Sequence, residues 1–585
     1  MKAICALYLL LAIFFAMSAQ AEKPSDLTPR QLVTRAESRA ARGDFVGANA
    51  DYVQALQIDP NWLPAYAGRG ALRAQLGQLD GAISDFSRLI SSQPEIPGGY
   101  FARGTARQAK RDFKGAIADY TQAITLGQKD ASVYRLRASA RYLAGDLDGA
   151  IADCQAALER DPRDVEALCQ LAQYFGDQGE VTKGMDTCEK ALTIAPESSR
   201  AYALRGLFCD WIGDLEAALR DEDRAIELNP KSASAFEYRA AIRQRKSDCD
   251  GAYADANKAI ALNPGSTNAY YTLGLISEKK GLYPGAEANF SQAITRNPRF
   301  AAAYIGRGRI RTINGQTGPA LKDLDRAIEL APRNALAWEN RGFCHFVRKE
   351  YDAAIADSKQ ALKLTPRDAS AWNTLGLVAS AHGSLAEANA SYSKAIEVDP
   401  TYSKAWYNRA RLRDKSGDIT GALKDYDQAI AADPGVCQYY VDRSLDRVLT
   451  DRPEEAEADA RKALTLDADN SVAPFALGVS LEARGKTKEA REVYDQAIAK
   501  PSPSDKVLVA RARLRENAGD RAGAIQDLDK AIAIAPTADT YARRGLMKQR
   551  AGMNKEAQAD FRSALALDPR CKAARDHLDR GSGQP

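Results

Sequence analysis

A chain of 585 residues with 81 basic and 77 acidic side chains has a formal net charge of only +4. That even balance argues against nucleic acid or an acidic membrane surface as the main partner. The length exceeds a single compact domain but is ordinary for a repeat array, and abundant alanine with moderate aromatic content suits closely packed helices.

In chain order, Lys2, the apolar run Ile4–Met17 and the small residues around Ala19-Gln20-Ala21 form the pattern of a secretory signal peptide, residues 1–21. The apolar run of 14 residues is too short for a comfortable membrane span. Cys5 lies early in that run and not after the cleavage site, so a lipoprotein anchor is not supported. Residues 22–26 read as a short linker, and no second long apolar run follows. The mature chain is therefore expected to be soluble, without an integral membrane segment, and exported to the periplasm or secreted.

From Leu27 a 34-residue register runs through fifteen copies to Pro536, and a sixteenth, Thr537–Pro569, is one residue short. The copies end at Pro60, Pro94, Gln128, Pro162, Pro196, Pro230, Pro264, Pro298, Pro332, Pro366, Pro400, Pro434, Ala468, Ser502, Pro536 and Pro569. The copy Thr401–Pro434 shows the unit clearly. A first helix is predicted over Ser403–Lys415, a break at Gly417-Asp418, a second helix over Thr420–Ala431, and a stop at Asp433-Pro434. Leu423, Tyr426, Ala429 and Ile430 recur at helical spacing. Two such helices cannot bury their apolar faces alone, so the unit makes sense only when stacked. The Ala410 position is Gly, Ala or Ser in every copy, and the Ala422 position is Ala in fifteen and Gly184 in the other. The Trp406 position is aromatic in Tyr66, Tyr134, Tyr304 and Trp338, and reads as a wedge between helices.

The period, the aromatic start, the small residue four positions on, the second-helix alanine, Tyr426 and the closing proline resemble the tetratricopeptide repeat family across residues 27–569. The resemblance implies an all-α fold, a right-handed superhelical solenoid of helix-turn-helix units. Residues 570–580 then read as a capping helix over the last repeat and residues 581–585 as a tail.

One departure from the family explains itself. The residue before the small position, usually leucine in the family, is arginine in twelve copies, and the residue sixteen further on is then always aspartate. Arg409 with Asp425, Arg341 with Asp357 and Arg307 with Asp323 are examples. In the other four copies both members change, to Leu171 and Thr187, Leu273 and Asn289, Leu375 and Ser391, and Leu477 and Val493. Joint replacement is expected of a structural ion pair bridging the two helices of one repeat, since a lone partner leaves an uncompensated charge. The leucine copies recur every third repeat, which points to duplication of a three-repeat block.

Three histidines (His345, His382 and His577) share no spacing, no His/Cys/carboxylate set has metal-ligand spacing, and no glycine-rich phosphate loop or nucleophile elbow is present. No catalytic residue, metal site or cofactor is therefore expected, and the chain reads as a non-enzyme. Eight cysteines follow the signal, and an oxidising compartment would permit disulfides. Cys154 and Cys188 sit at equivalent positions one repeat apart, beyond the roughly 7 Å reach of a bridge. Cys188 with Cys209 is the better-placed pair, and small buried thiols are the other reading.

In the family, the first helices line a concave groove and contact bound peptides. Matching positions here are Phe101, Tyr142, Trp211, Tyr271, Arg309, Phe343, Phe346, Val347, Tyr407, Arg411, Leu445, Val448, Leu449 and Phe475, with Lys404 and Lys415 beside them. The Lys/Asn set that clamps a terminal carboxylate in chaperone-binding members is missing, and the asparagine ladder of the glycosyltransferase members is broken at Leu136, Thr272, Gly306 and Asp442. The expected function is a scaffold that holds an extended peptide or protein surface in the groove. The alternative is a periplasmic component of an envelope assembly, such as a polysaccharide or outer-membrane export complex.

Overall fold

A computed structural model describes residues 27–579, and the predicted signal peptide, linker and tail lie outside them. The described residues form 33 α-helices and no strand. The described residues divide into two compact units, one ending at Arg296 and the other beginning at Asn297. Within each, helix pairs follow one another as a helical repeat solenoid. Each first helix packs on its own second helix, and successive first helices also touch, as Ala369–Ala381 does with Ala335–Val347 and with Ser403–Lys415.

The local chemistry of one repeat accounts for its shape. The first helix spans Ser403–Lys415 and the second Ile419–Ala432, within a residue of expectation. Between them Gly417 adopts φ +87°, a left-handed conformation that glycine takes without strain. Asp418 then caps the second helix, its carboxylate accepting the Gly421 N–H at 2.9 Å. A Cβ on Gly421 would stand 2.1 Å from that carboxylate, which favours glycine three residues after the cap. The same Asp-to-Gly cap recurs at Asp44, Asp112, Asp146, Asp248 and Asp520.

The small residue of the first helix faces the residue sixteen positions on, a relation that the repeat period alone does not reveal. A Cβ on Gly70, Gly104, Gly274, Gly376, Gly478 or Gly545 would lie 2.0–3.0 Å from the ring of Phe86, Tyr120, Phe290, Tyr392, Tyr494 or Phe561. Glycine makes room for the ring, and the ring fills the core of the repeat. Where the first-helix residue is Ala138, Ala172 or Ala240, the facing residue is Cys154, Cys188 or Ala256, whereas Ala36 and Ala410 still pack with the rings of Tyr52 and Tyr426. The sixteenth repeat is closed by the helix Lys572–Asp579, whose Ala574 is fully buried and whose His577 stacks on Phe561 at 5.6 Å. All eight described cysteines are free thiols, so Cys188 and Cys209 do not pair. Both are buried among apolar neighbours, and burial pushes both thiols up.

The arginine–aspartate pairs form as expected, with more partners. Arg409 donates from Nε and Nη2 to the two oxygens of Asp425, both at 2.8 Å, the planar two-point contact that lysine cannot make. Arg341 grips Asp357 in the same way, at 2.7 and 2.8 Å, and Arg307 grips Asp323 at 2.9 and 2.7 Å. Asp425, Asp357 and Asp323 are all buried, so each carboxylate depends on its cations. Two of the three have a second one. Asp425 also meets Arg413 at 3.0 Å, Asp323 meets Arg311 at 2.8 Å, and Asp357 has the His345 ring at 3.8 Å. This second group, four residues after the first arginine, recurs as Arg39, Arg73, Arg107, Arg141, Arg243, Arg447, Arg515 and Lys548. The four leucine copies carry Phe175, Ser277, Ala379 and Leu481 there, although the Arg205–Asp221 copy keeps its pair with Cys209 at this position.

The Nη1 of the first arginine reaches back to the preceding repeat. Arg409 donates to Ser393 at 2.9 Å, Arg103 to Ser87, Arg137 to Thr121, and Arg239, Arg341 and Arg443 to Asp223, Asp325 and Asp427 at 2.7 Å each. Ahead of the leucine copies that position holds Gln155, Asn257, Lys359 or Arg461, none of which is acidic. The expected aromatic wedge has a further role here. Trp406 lies 4.9 Å from the Arg409 guanidinium and donates its ring N–H to the Pro400 carbonyl at 2.9 Å, so it ties the arginine to the turn.

Two buried polar groups break the packing pattern, Ser358 facing Gly342 with its hydroxyl unpartnered and Glu222 facing Gly206. Glu222 occupies the ring position facing Gly206, is wholly buried, and neither of its carboxyl oxygens has a hydrogen-bond partner. Burial first, and then the Asp221 carboxylate, push its pKa well above the usual glutamate range.

Two outcomes follow for thermal melting. Asp425→Ser alone leaves two guanidiniums facing each other and lowers stability, by up to the ~3–5 kcal/mol of a broken buried pair less screening at the partly exposed Arg413. Adding Arg409→Leu and Arg413→Ala, the residues of the Leu375, Ala379 and Ser391 copy, recovers most of the loss. Equal melting of the single and triple variants would refute the strut. Separately, an unpaired buried polar group costs about 1–3 kcal/mol, so Glu222→Leu raises Tm. Because the folded carboxyl holds its proton where the unfolded one releases it, wild-type stability falls as pH rises above the ordinary glutamate range. The leucine variant's advantage is therefore larger at pH 8 than at pH 5, and an advantage equal at both would count against a buried, proton-holding Glu222.

Candidate partner-binding face

The face formed by successive first helices holds the residues that matched the groove of the family, and the structure sorts them into three kinds. Some are engaged in packing. Phe101 lies 6.0 Å from Tyr120 and Tyr271 lies 5.7 Å from Phe290, each half-buried against the ring of its own repeat's second helix. Phe475 is half-buried against the core around Leu477 and Tyr494. Tyr142 stacks on Tyr174 of the next first helix at 4.6 Å, and its hydroxyl donates to Asp177 at 2.7 Å.

Others are at least partly exposed. Trp211 is 46% exposed and meets Phe208 edge-on at 5.5 Å. Phe343 and Phe346 stack at 6.2 Å, Phe346 continues to Tyr351 at 6.2 Å, and Tyr351 meets the His382 ring at 4.9 Å. Val347 and Leu449 at helix ends are exposed. The run Phe343–Phe346–Tyr351–His382 is thus a connected aromatic strip across two repeats. Position matching finds only its first two rings, because Tyr351 opens a second helix and His382 ends a first helix, outside the matched positions.

The third kind lines a concavity. Tyr407, Arg411 and Leu445 border a pocket of ≈ 540 Å³ together with Asp414, Gln438, Asp442, Asp446 and Lys506. Tyr407 packs at 4.8 Å on Tyr439 and donates its hydroxyl to Asp442 at 2.7 Å, and the Arg411 guanidinium lies 5.7 Å from the Tyr407 ring. Arg309, half-buried on the helix Ala301–Ile313, contributes positive charge near Glu339. The strut residues stay apart from all three kinds: Arg409 with Asp425, Arg341 with Asp357 and Arg307 with Asp323 are taken up in the ion pairs between helices.

A polar seam, invisible to position matching, runs beneath this face. Ser370 donates to Glu339 at 2.5 Å, Tyr402 to Ser370 at 3.3 Å, and Asn408 to Asn373 at 2.8 Å. Each bond links adjacent first helices, so the seam fixes their spacing. Burial raises the Glu339 pKa to about 7, opposed by the Ser370 hydroxyl. The sequence signal for the seam is a polar residue where other copies carry Phe101, Tyr271 or Tyr407: Glu339 and Asn373 occupy that position.

Among the described residues no group of three or more His, Cys, Asp or Glu is placed to hold a metal ion, and no helix is long and apolar enough to cross a membrane. The face offers aromatic surface, hydrogen-bond donors and acceptors, and local acidity.

Two descriptions of the tetratricopeptide repeat match the sequence. One matches residues 101–165, 314–369, 352–403, 373–436, 450–506 and 475–539, and the other residues 165–198. The human Tetratricopeptide repeat protein 6 is 27% identical over 121 residues, covering 21% of this chain. The chain spans only 23% of the length of that curated relative. Among solved structures, a chain of the APC/C hetero-tetramer Cut9–Hcn1 is 15% identical, with 77% of this chain and 96% of that one covered at a TM-score of 0.49. A tetratricopeptide repeat protein from Parabacteroides merdae ATCC 43184 is 21% identical, with 43% and 99% covered at a TM-score of 0.33. A chain of Naa15/Naa10 bound to HypK-THB is 15% identical, with 94% and 96% covered at a TM-score of 0.35.

Proposed function

Because the chain belongs to the tetratricopeptide repeat family, we propose that it is a non-catalytic scaffold that binds an extended peptide or a protein surface along the face of its first helices. The aromatic strip of Phe343, Phe346, Tyr351 and His382 carries this reading. Rings presented together at a surface are the usual anchors of protein recognition, because they supply area at low entropic cost. A rigid seam beneath them, Glu339–Ser370–Tyr402, favours a preformed surface over one that orders on binding. The signal pattern of residues 1–21 supports an exported scaffold working in the periplasm or outside the cell.

Affinity capture from the exported fraction of the host, with wild-type chain and with Phe343→Asp as bait, tests the proposal. Phe343 is only half-buried, so the variant keeps its Tm within a few degrees. The expected result is loss of at least roughly 90% of the captured partner, since placing a charge in an aromatic anchor commonly costs more than a factor of ten in affinity. Identical capture by both baits would refute binding at this face.

A further inference from the structure

Asp446 stands where the repeat places core residues. The equivalent position is Leu72, Ile242, Ile276, Ile310, Val378, Leu412 and Leu514 elsewhere, and no other copy has a carboxylate there. The side chain is as buried as those it replaces, with 4% of the residue exposed, yet it borders the ≈ 540 Å³ pocket and its Oδ2 has no hydrogen-bond partner. A buried carboxylate with an open lone pair at the edge of a cavity is an acceptor awaiting a donor.

The rest of the pocket defines that donor. Asp414 and Asp442 line it beside Asp446, which makes three carboxylates in one concavity. Asp442 is held by neutral donors, the Tyr407 hydroxyl at 2.7 Å and the Gln438 amide at 2.7 Å. Two cations of the chain, Arg411 and Lys506, also border the pocket. Among the described residues neither forms an ion pair with Asp414, Asp442 or Asp446, and Arg411 instead lies against the Tyr407 ring. With Asp446 ionised, negative charge exceeds positive charge by one, and the most deeply placed carboxylate is the unsatisfied one. A metal ion is not the natural occupant, because these carboxylates are not placed as a ligand set.

We propose that this pocket receives a basic side chain, lysine or arginine, of a protein partner lying along the first helices. The proposal rests on the scaffold reading and names one chemical feature of the partner. A guanidinium or ammonium brings several N–H donors and a full positive charge, which match an unpaired Asp446 flanked by Asp414. Burial first, then the Asp414 and Asp442 carboxylates, push Asp446 up to about 7. The groups facing it are Asp414, Asp442, Arg411, Lys506, Tyr407 and Tyr426, and neither tyrosine titrates in the neutral range, since burial raises both. Binding of a cation therefore strengthens between pH 6 and pH 8, as Asp446 gives up its proton.

Equilibrium dialysis of the full chain against acetylated, amidated Gly-Gly-X-Gly-Gly peptides, with X arginine, lysine or norleucine, tests this directly. The expected result is at least roughly tenfold tighter binding of the arginine or lysine peptide than of the norleucine one at pH 8, with the preference reduced at pH 6. Asp446→Leu, which restores the residue of the Leu412 copy, and the isosteric Asp446→Asn both abolish the preference while the chain stays folded by circular dichroism. Equal binding of the three peptides to wild type, or a preference that survives in both variants, overturns the proposal. Partner capture separates this failure from that of the scaffold reading. Capture lost with Phe343→Asp but equal for wild type and Asp446→Leu refutes the pocket alone, whereas capture indifferent to Phe343 refutes the face, with the peptide preference still deciding the pocket.

Discussion

The two-point contact between a first-helix arginine and a second-helix aspartate sets the geometry of most repeats. Helix pairs this short hold their mutual angle through few side chains, and alanine-rich contacts slide easily. A planar guanidinium locked on a carboxylate, as Arg409 is on Asp425, resists that sliding in two directions at once. The other cation at the same carboxylate, the cation–aromatic contact to Trp406 and the reach back to Ser393 all converge on this centre. The residues matched to the family's groove inherit their positions from it, since they lie on the same helix as the arginine.

Packing adds a second constraint of a different kind. The Gly376–Tyr392 and Gly478–Tyr494 contacts are matched in shape, with volume removed from one helix and supplied by the other. Ion pairing fixes orientation, and this exchange of volume fixes how closely the helices approach. Glu222 shows what happens when the ring position is filled by a residue that satisfies neither rule. It fits beside Gly206 but strands two oxygens.

The helix pairs, their boundaries and the struts from Arg409 to Asp425, Arg341 to Asp357 and Arg307 to Asp323 were legible in the sequence because each follows from spacing within a single repeat. The Arg413 contact was equally legible, since Phe175, Ser277, Ala379 and Leu481 replace that cation in the leucine copies; it had to be sought at a third position. The glycine–ring relation was hidden because the alanine at the Ala422 position is nearly invariant and drew the comparison away from Tyr426. The face itself was only partly readable. Position matching put Phe101, Tyr271 and Phe475 on first helices, but how far a ring turns inward depends on neighbours in three dimensions. Tyr351 and His382 entered from outside the matched positions for the same reason. Asp446 was visible as a departure from Leu412, but its meaning required a cavity beside it.

The bonds that Arg103, Arg137, Arg409 and Arg443 make to the preceding repeat have no counterpart in the repeats of Leu171, Leu375 and Leu477, where leucine offers no donor. Neighbour coupling in a stacked array sets how far a disturbance spreads. The arginine share of that coupling is therefore absent at these repeats, and at Leu375 the Ser370–Glu339 and Asn408–Asn373 bonds between first helices take its place.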